Sequence, residues 1–257
     1  MRFRDLTILG SGTIVPQPGH GCSGYLIRGS DAPLLLDCGP GVLYRLSEVG
    51  FSAAEIRTLL ITHFHLDHVS DLAALLNSRW LQSAADDRVL ELIGPAGLQA
   101  HLDWLAARMD SWFADFAFRV CEGATETCTA GGIAVASCRT GHTDESICYR
   151  LTDEAGTVVF YSGDTDYNEE LVPLAEGADI AVIECSMPNE MKTPGHLTPE
   201  LAAKIARLAR VKTLVLTHFY REASGVDVLA QAGSLFDGRI IVARDLMRIP
   251  FGDPVLD

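Results

Sequence analysis

The chain has 257 residues, 48% of them hydrophobic and 21% charged, with 34 acidic against 20 basic residues for a net charge of −14. That length and apolar content allow one α/β domain over residues 1–257 with a sizeable core, and the acidity disfavours a long nucleic acid held by clustered Lys and Arg. Cys22, Cys38, Cys121, Cys128, Cys138, Cys148 and Cys185 form no Cys-x-x-Cys pair, and their odd number fits reduced thiols and a cytoplasmic location. The first ten residues are too short an apolar stretch for a signal sequence, and no run approaches membrane-spanning length, so no membrane partner is expected.

In chain order, β-rich runs at 6–9, 25–28 and 34–37 precede a helical pattern at 42–49. A strand at 58–62 leads to a helix at 69–80, and a strand at 89–93 to a helix at 97–108. Strands follow at 133–138, 147–151 and 158–162, then a helix at 169–176, a strand at 180–184 and a helix at 199–209, capped by Thr198 and begun by Pro199. A strand at 213–217, a helix at 226–235 and a strand at 240–243 complete the pattern. Strands interleaved with helices predict sheets covered by helices, a layered α/β (α+β) architecture.

Thr62-His63-Phe64-His65-Leu66-Asp67-His68-Val69 places three imidazoles and a carboxylate within six positions, directly after an apolar strand. Imidazole nitrogen and carboxylate oxygen suit divalent zinc, and no packing or propensity argument calls for so many in one turn. Three further candidate ligands, His142, Asp164 and His218, each lie just past a predicted strand. Strand ends in α/β folds are where loops from separate elements converge, so these residues can share one site. Asp67, at a helix start, could also cap free backbone amides.

His63-x-His65-x-Asp67-His68, followed by His142, Asp164 in Tyr161-Ser162-Gly163-Asp164-Thr165, and His218 in Thr217-His218-Phe219, resembles the ligand set of the metallo-β-lactamase-fold hydrolases. The resemblance implies a four-layer αββα sandwich with two Zn(II) ions, Mn or Fe being alternatives. In it, His63, His65 and His142 would hold one ion, Asp67, His68 and His218 the other, and Asp164 would bridge them. Leu36-Asp37-Cys38-Gly39 matches an acidic turn of that superfamily. The nearer likeness is to its ribonuclease Z-like phosphodiesterase branch, through the opening Leu9-Gly10-Ser11-Gly12-Thr13, the Ile183-Glu184-Cys185-Ser186 segment and Gly195-His196-Leu197-Thr198. Ile183 stands where that branch has a histidine. By the same resemblance Glu184 and His196 form an orienting pair, and His196 is implicated in proton transfer at the scissile phosphate. Only residues 143–163 separate His142 from Asp164, too few for the arm with which ribonuclease Z clamps transfer RNA.

The expected chemistry is hydrolysis of a small phosphodiester, such as a cyclic nucleotide, by a hydroxide between two ions. Asp67 would orient that hydroxide and His196 would act as general acid beside Glu184. Alternatives are a lactonase, thioesterase or β-lactam hydrolase on the same scaffold, a transfer-RNA 3′-processing endoribonuclease, and a non-enzymatic metal binder or iron redox protein. A homodimer is compatible with the sequence. His20 reads as a loop histidine and His101 as a surface or packing residue. Trp104, Trp112, Phe113, Phe116 and Phe118 lean toward core, with a substrate wall or lid as the other reading.

Overall fold

A computed structural model of the chain describes residues 1–82, 89–123 and 127–252. Its first sheet joins β1 (Phe3–Gly10), β2 (Gly24–Gly29), β3 (Leu34–Leu36), β4 (Thr58–Leu60), β5 (Val89–Gly94) and β6 (Ala117–Glu122). Within it β3 to β6 run parallel to one another, while β1 and β2 are antiparallel. The second sheet joins β7 (Cys128–Ala130), β8 (Ile133–Arg139), β9 (Ile147–Thr152), β10 (Val158–Tyr161), β11 (Ile180–Glu184), β12 (Thr213–Thr217) and β13 (Arg239–Val242). The last strand, β14 (Arg248–Pro250), returns to pair with β1 as the edge of the first sheet.

Strand side chains alternate between two apolar clusters, as a period of two requires. Tyr25, Ile27, Leu34, Leu36 and Leu60 join the cluster containing Tyr149, Phe160, Val182 and Leu216 of the second sheet. Their neighbours Leu26, Leu35, Leu59 and Ile61 point the other way. There they pack with α1 (Val42–Glu48), α3 (Leu72–Gln82) and α4 (Leu98–Ala106). The second sheet is covered by α5 (Leu171–Ala175), α6 (Pro199–Leu208) and α7 (Val228–Gly233), which completes four layers in the order αββα. Thr198 accepts from Leu201 N at 3.4 Å, ahead of Pro199, so α6 begins as its sequence predicts.

The helix expected at 69–80 divides into α2 (Leu66–Val69) and α3. Asp71 N donates to Cys38 O at 2.9 Å rather than along the helix, which interrupts the ladder between them. The Asp71 carboxylate accepts from Gly41 N and Leu43 N and so anchors the start of α1. Strands β6, β7 and β14 escaped the sequence reading. The first mixes exposed charges with partly buried residues at 117–122, and the other two have three residues each, too short to show a period.

The aromatics before β6 are packing residues. Phe113 and Phe116 are buried in the outer core of the first sheet, with Trp112 and Phe118 packed against them. Trp104 is exposed and stacks on His101, whose other neighbour is Phe64 at 5.2 Å. Among the described residues no helix is long and apolar enough to cross a membrane.

Candidate metal centre

The 61–68 turn leaves the C-terminal end of β4, and the loop after β3 braces it. Asp37 accepts from Thr62 N at 2.8 Å and Thr62 Oγ1 at 2.9 Å, while Cys38 N donates to His68 O at 2.7 Å. Gly39 permits this approach, because a Cβ there would lie 1.9 Å from Asp67 O. The expectation that Asp67 caps a helix is not met: it lies inside the short α2, whose N-cap position is His65, and no side chain caps it. Asp67 Oδ2 instead accepts from Ile14 N at 3.1 Å, which ties the 11–18 loop to the site.

The second sheet delivers its residues from separate strand ends. His142 lies in the turn between β8 and β9, Asp164 follows β10, Glu184 ends β11, and His218 follows β12 with φ of 60°. His196 comes from the loop before α6. Candidate ligand atoms fall into overlapping sets within 4.8 Å: His63, His65, His142 and Asp164; Asp67, His68 and His218; and Asp164, His196 and His218. All seven residues predicted as ligands thus converge, and His196 adjoins them.

Asp164 stands between the two main sets. Its Oδ2 lies 3.8 Å from His63 Nε2 and 3.7 Å from His142 Nε2, whereas Oδ1 lies 3.2 Å from His68 Nε2 and 3.3 Å from His218 Nε2. Asp67 Oδ2 lies 3.4 Å from His218 Nε2, on the second side. His65 turns Nδ1 toward His142 Nε2 at 2.9 Å, at the exposed mouth of the cluster.

The hydrogen bonds behind the rings assign their tautomers. Thr62 Oγ1 and Tyr161 OH both donate to Asp37, so Thr62 Oγ1 accepts from His63 Nδ1 at 3.0 Å. His68 Nδ1 donates to Asp37 at 2.7 Å, and His142 Nδ1 donates to Gly195 O at 2.9 Å. Ser186 Oγ donates to Glu184 Oε2 at 2.5 Å and therefore accepts from His218 Nδ1 at 3.0 Å. In the neutral rings all four protons sit on Nδ1, leaving Nε2 unprotonated toward the centre, the arrangement that hydrogen-bond partners behind the ring impose on metal-binding histidine.

Charge is concentrated to match. Burial lowers the pKa of His63 and of His142 below the ordinary histidine value. Burial opposes the protonated form of His68 as well, but the charges of Asp164 and Asp37 outweigh it and raise that pKa. For Asp164 and Asp67 burial favours the neutral acid, yet the neighbouring imidazoles hold both carboxyls well below the usual range.

Glu184 is a hub. Its carboxylate accepts from Thr165 N at 2.7 Å, Leu197 N at 3.1 Å and His196 Nδ1 at 3.1 Å, besides Ser186 Oγ. Burial disfavours protonated His196, but the Glu184 hydrogen bond and charge overcome it and raise the pKa. The Tyr220 ring lies 5.7 Å from His196 and 6.0 Å from His218, its hydroxyl pKa pushed by burial to about 12. Exposed Ile14, Val15 and Leu66 occupy the two segments that carry Asp67 and its backbone donor, Ile14 N. His20 Nδ1 lies 2.9 Å from Ser11 Oγ, and His20 belongs to none of the candidate ligand sets among the described residues.

The sequence reading assigned no role to Asp37, Tyr161, Ser186 or Tyr220. The last two carry a signal of their own, lying two residues beyond Glu184 and His218 respectively.

These residues fit divalent metal. His63 Nε2 and Asp164 Oδ1 are buried without an aligned hydrogen-bond partner among the described residues, and such orphaned atoms are costly unless a ligand completes them. The Nε2 atoms of four imidazoles gathered around one carboxylate form a nitrogen and oxygen donor set of the kind divalent transition metals accept.

An αββα sandwich carrying a His and Asp metal cluster at its strand ends defines a metal-dependent hydrolase of the metallo-β-lactamase fold. The chain belongs to the beta-lactamase superfamily domain family, which it matches over residues 33–219. It is 32% identical to a protein named Ribonuclease Z of Mycobacterium bovis (strain BCG / Pasteur 1173P2) over 277 aligned residues, covering 95% of this chain and 97% of that one. Among solved structures it is similar to a metallo-β-lactamase fold protein from Bacillus subtilis, with TM-score 0.83 and 23% identity over 96% of this chain and 99% of that one. The short form of human tRNase Z is also similar, with TM-score 0.77 and 25% identity over 97% of this chain and 100% of that one.

Proposed function

We propose that the chain is a dinuclear zinc phosphodiesterase acting on a small phosphodiester such as a cyclic nucleotide. The observation that carries the two-ion reading is the division of Asp164, with one oxygen toward His63 and His142 and the other toward His68 and His218. In this reading His63, His65 and His142 hold one ion, Asp67, His68 and His218 hold the other, and Asp164 serves both. Bound there, two divalent ions supply Lewis acidity toward phosphoryl oxygens and bring the ionisation of water near neutral pH.

The chain's own residues do the rest. Asp67, fixed by Ile14 N, is placed to orient the attacking water. His196, with Nδ1–H committed to Glu184, holds a second proton at Nε2 for the departing alkoxide. Ser186 couples the two histidines, since its hydroxyl contacts the Nδ1 atoms of both His196 and His218.

Two observations favour a small substrate. Residues 143–163 are taken up by β9, β10 and their turns, leaving no length for a clamping arm, and the net charge of −14 is unsuited to a broad phosphate-binding face. The Ribonuclease Z name of the mycobacterial relative favours a second reading, RNA 3′ processing.

The test is a panel of bis(4-nitrophenyl) phosphate, 3′,5′-cyclic nucleotides, a transfer-RNA precursor and a lactone, run on protein whose native metal has been measured. Two zincs per chain with turnover of the diester and a cyclic nucleotide are expected. Turnover of the precursor alone selects the second reading, and turnover of the lactone alone sinks both. Iron in place of zinc would point to redox chemistry.

A further inference from the structure

Three consecutive residues of the loop after β10 reach three different parts of the site. Asp164 faces the metal cluster, Thr165 N donates to Glu184 Oε1, and Asp166 turns outward to the 192–196 segment. Asp166 Oδ2 accepts from Gly195 N at 2.8 Å, and Oδ1 pairs with Lys192 Nζ at 2.8 Å and accepts from Tyr167 N at 2.7 Å. One carboxylate therefore pins that segment at both ends. Gly195 O in turn accepts from His142 Nδ1, and the next residue is His196. Gly195 has φ of +85°, and a Cβ there would stand 3.2 Å from His142 Nδ1, so the imidazole reaches the carbonyl because position 195 is glycine.

We infer that Asp166 is a positioning residue, which through Gly195 fixes the tautomer and orientation of His142 and sets the approach of His196. The inference rests on the two-metal reading above for what His142 does, though not for its geometry. The charge of the carboxylate adds little stability through Lys192. Its ion pair with Lys192 is about one-third exposed on both sides, at 31% and 32%, and exposed pairs contribute little. What Asp166 supplies is placement: with Gly195 N unanchored, Gly195 O loses the register that keeps a proton on His142 Nδ1 and a bare Nε2 toward the cluster. Partners that fix a ligating histidine in this way typically govern roughly 10- to 100-fold in metal affinity.

The experiment is chelator competition with zinc on the full chain, comparing wild type, Asp166→Ala, Asp166→Asn and Lys192→Met, with a thermal melt for each. Asp166→Ala is expected to weaken one of the two zincs by about 10- to 100-fold while the other stays near its wild-type affinity. Asp166→Asn keeps an acceptor oxygen for Gly195 N and is expected to restore most of the loss. Lys192→Met, which leaves the Asp166 to Gly195 bond intact, is expected to lose no more than a few-fold, and should Asp166→Ala fail to fold, a Lys192→Met loss of about 10-fold or more overturns the inference. The histidine ¹⁵N spectrum supplies an independent readout, since the His142 Nδ1–H signal should broaden or shift in Asp166→Ala and return in Asp166→Asn.

Wild-type affinity for both zincs in Asp166→Ala overturns the inference. So does an Asp166→Asn variant no better than Ala, or a Lys192→Met loss as large as that of Asp166→Ala. None of these readouts uses a substrate. If no phosphodiester is cleaved yet Asp166→Ala loses one zinc, the proposed function fails and the positioning role stands. Cleavage of the diester with unaltered zinc binding in Asp166→Ala leaves the proposed function standing and removes the positioning role.

Discussion

The two sheets furnish the metal centre in different ways. From the first come His63, His65, Asp67 and His68 in a single turn, with His63 and His68 fully buried and both oriented through Asp37. The second sends His142, Asp164, Glu184 and His218 from four strand ends and His196 from a loop, with His142 held by Gly195 O, His196 by Glu184, and His218 by Ser186 Oγ, which also contacts His196. One side is a unit built around one carboxylate, and the other is an assembly held by several separate groups, Gly195 O, Ser186 and Glu184. Metal-holding should therefore respond most to changes shared by both sides or at Asp37, and proton transfer to changes on the second sheet.

The largest effect is expected at Asp164, whose two oxygens face His63 and His142 on one side and His68 and His218 on the other. Asp164→Ala should abolish two-metal binding and lower kcat/KM by roughly 10³-fold or more, since the Lewis-acid contribution is several kcal/mol and each 1.4 kcal/mol is tenfold. Two metals retained per chain by elemental analysis would show that the sets do not depend on a shared carboxylate. Next comes Asp37→Ala, which unfastens His68 directly and His63 through Thr62. A loss of about 10- to 100-fold in zinc affinity is expected, larger than for Ser186→Ala, which among the candidate ligands releases His218 and otherwise removes only a contact to His196. If Ser186→Ala proves the more damaging by chelator competition, the contrast between the sheets is reversed.

The same contrast explains what could be read from the chain beforehand. A turn that carries four candidate ligands within six residues announces itself, whereas His142, Asp164 and His218 are single residues whose meaning comes from standing at strand ends. Their order, and the Glu184 to His196 pairing, were legible through family likeness and agree with the 3.1 Å contact. Asp37 was visible as part of an acidic turn, but its task was not, because orienting two rings requires the β3 loop and the 61–68 turn to meet in space. Asp67 misled for a related reason: a carboxylate at a helix start suits a cap, yet Ile14 N from a distant loop and His218 claimed it. Edge strands β6, β7 and β14 were missed where short length or mixed exposure erased the period.

A pH profile sharpens the second sheet's role. Glu184 raises the pKa of His196 against the effect of burial, and a general acid works only while protonated. Replacing Glu184 by Gln removes the charge that offsets burial, so the His196 pKa falls and the basic limb of kcat should move to lower pH. Rate loss for a poor alkoxide leaving group should then grow as pH rises, toward the ~10²- to 10⁴-fold that acid catalysis contributes, while a 4-nitrophenyl ester is nearly unaffected. An unmoved basic limb, or equal losses for both leaving groups, removes His196 from the acid role.

The smallest effect on turnover is expected from the aromatics beside β6, on the far side of the first sheet from the second. Phe113 is 6% exposed, with Trp112, Phe116 and Phe118 rings at 5.8, 6.4 and 5.4 Å, so its neighbours are core residues rather than the substrate's path. Phe113→Ala should cost about 3 kcal/mol of stability through the cavity it leaves, read from denaturant unfolding, with kcat/KM within about twofold of wild type well below the melting transition. A lid would give the opposite signature, since a residue that closes over substrate loses little stability when truncated but raises KM. Stability unchanged with KM raised would therefore return these rings to the active site and give the first sheet a part in substrate recognition.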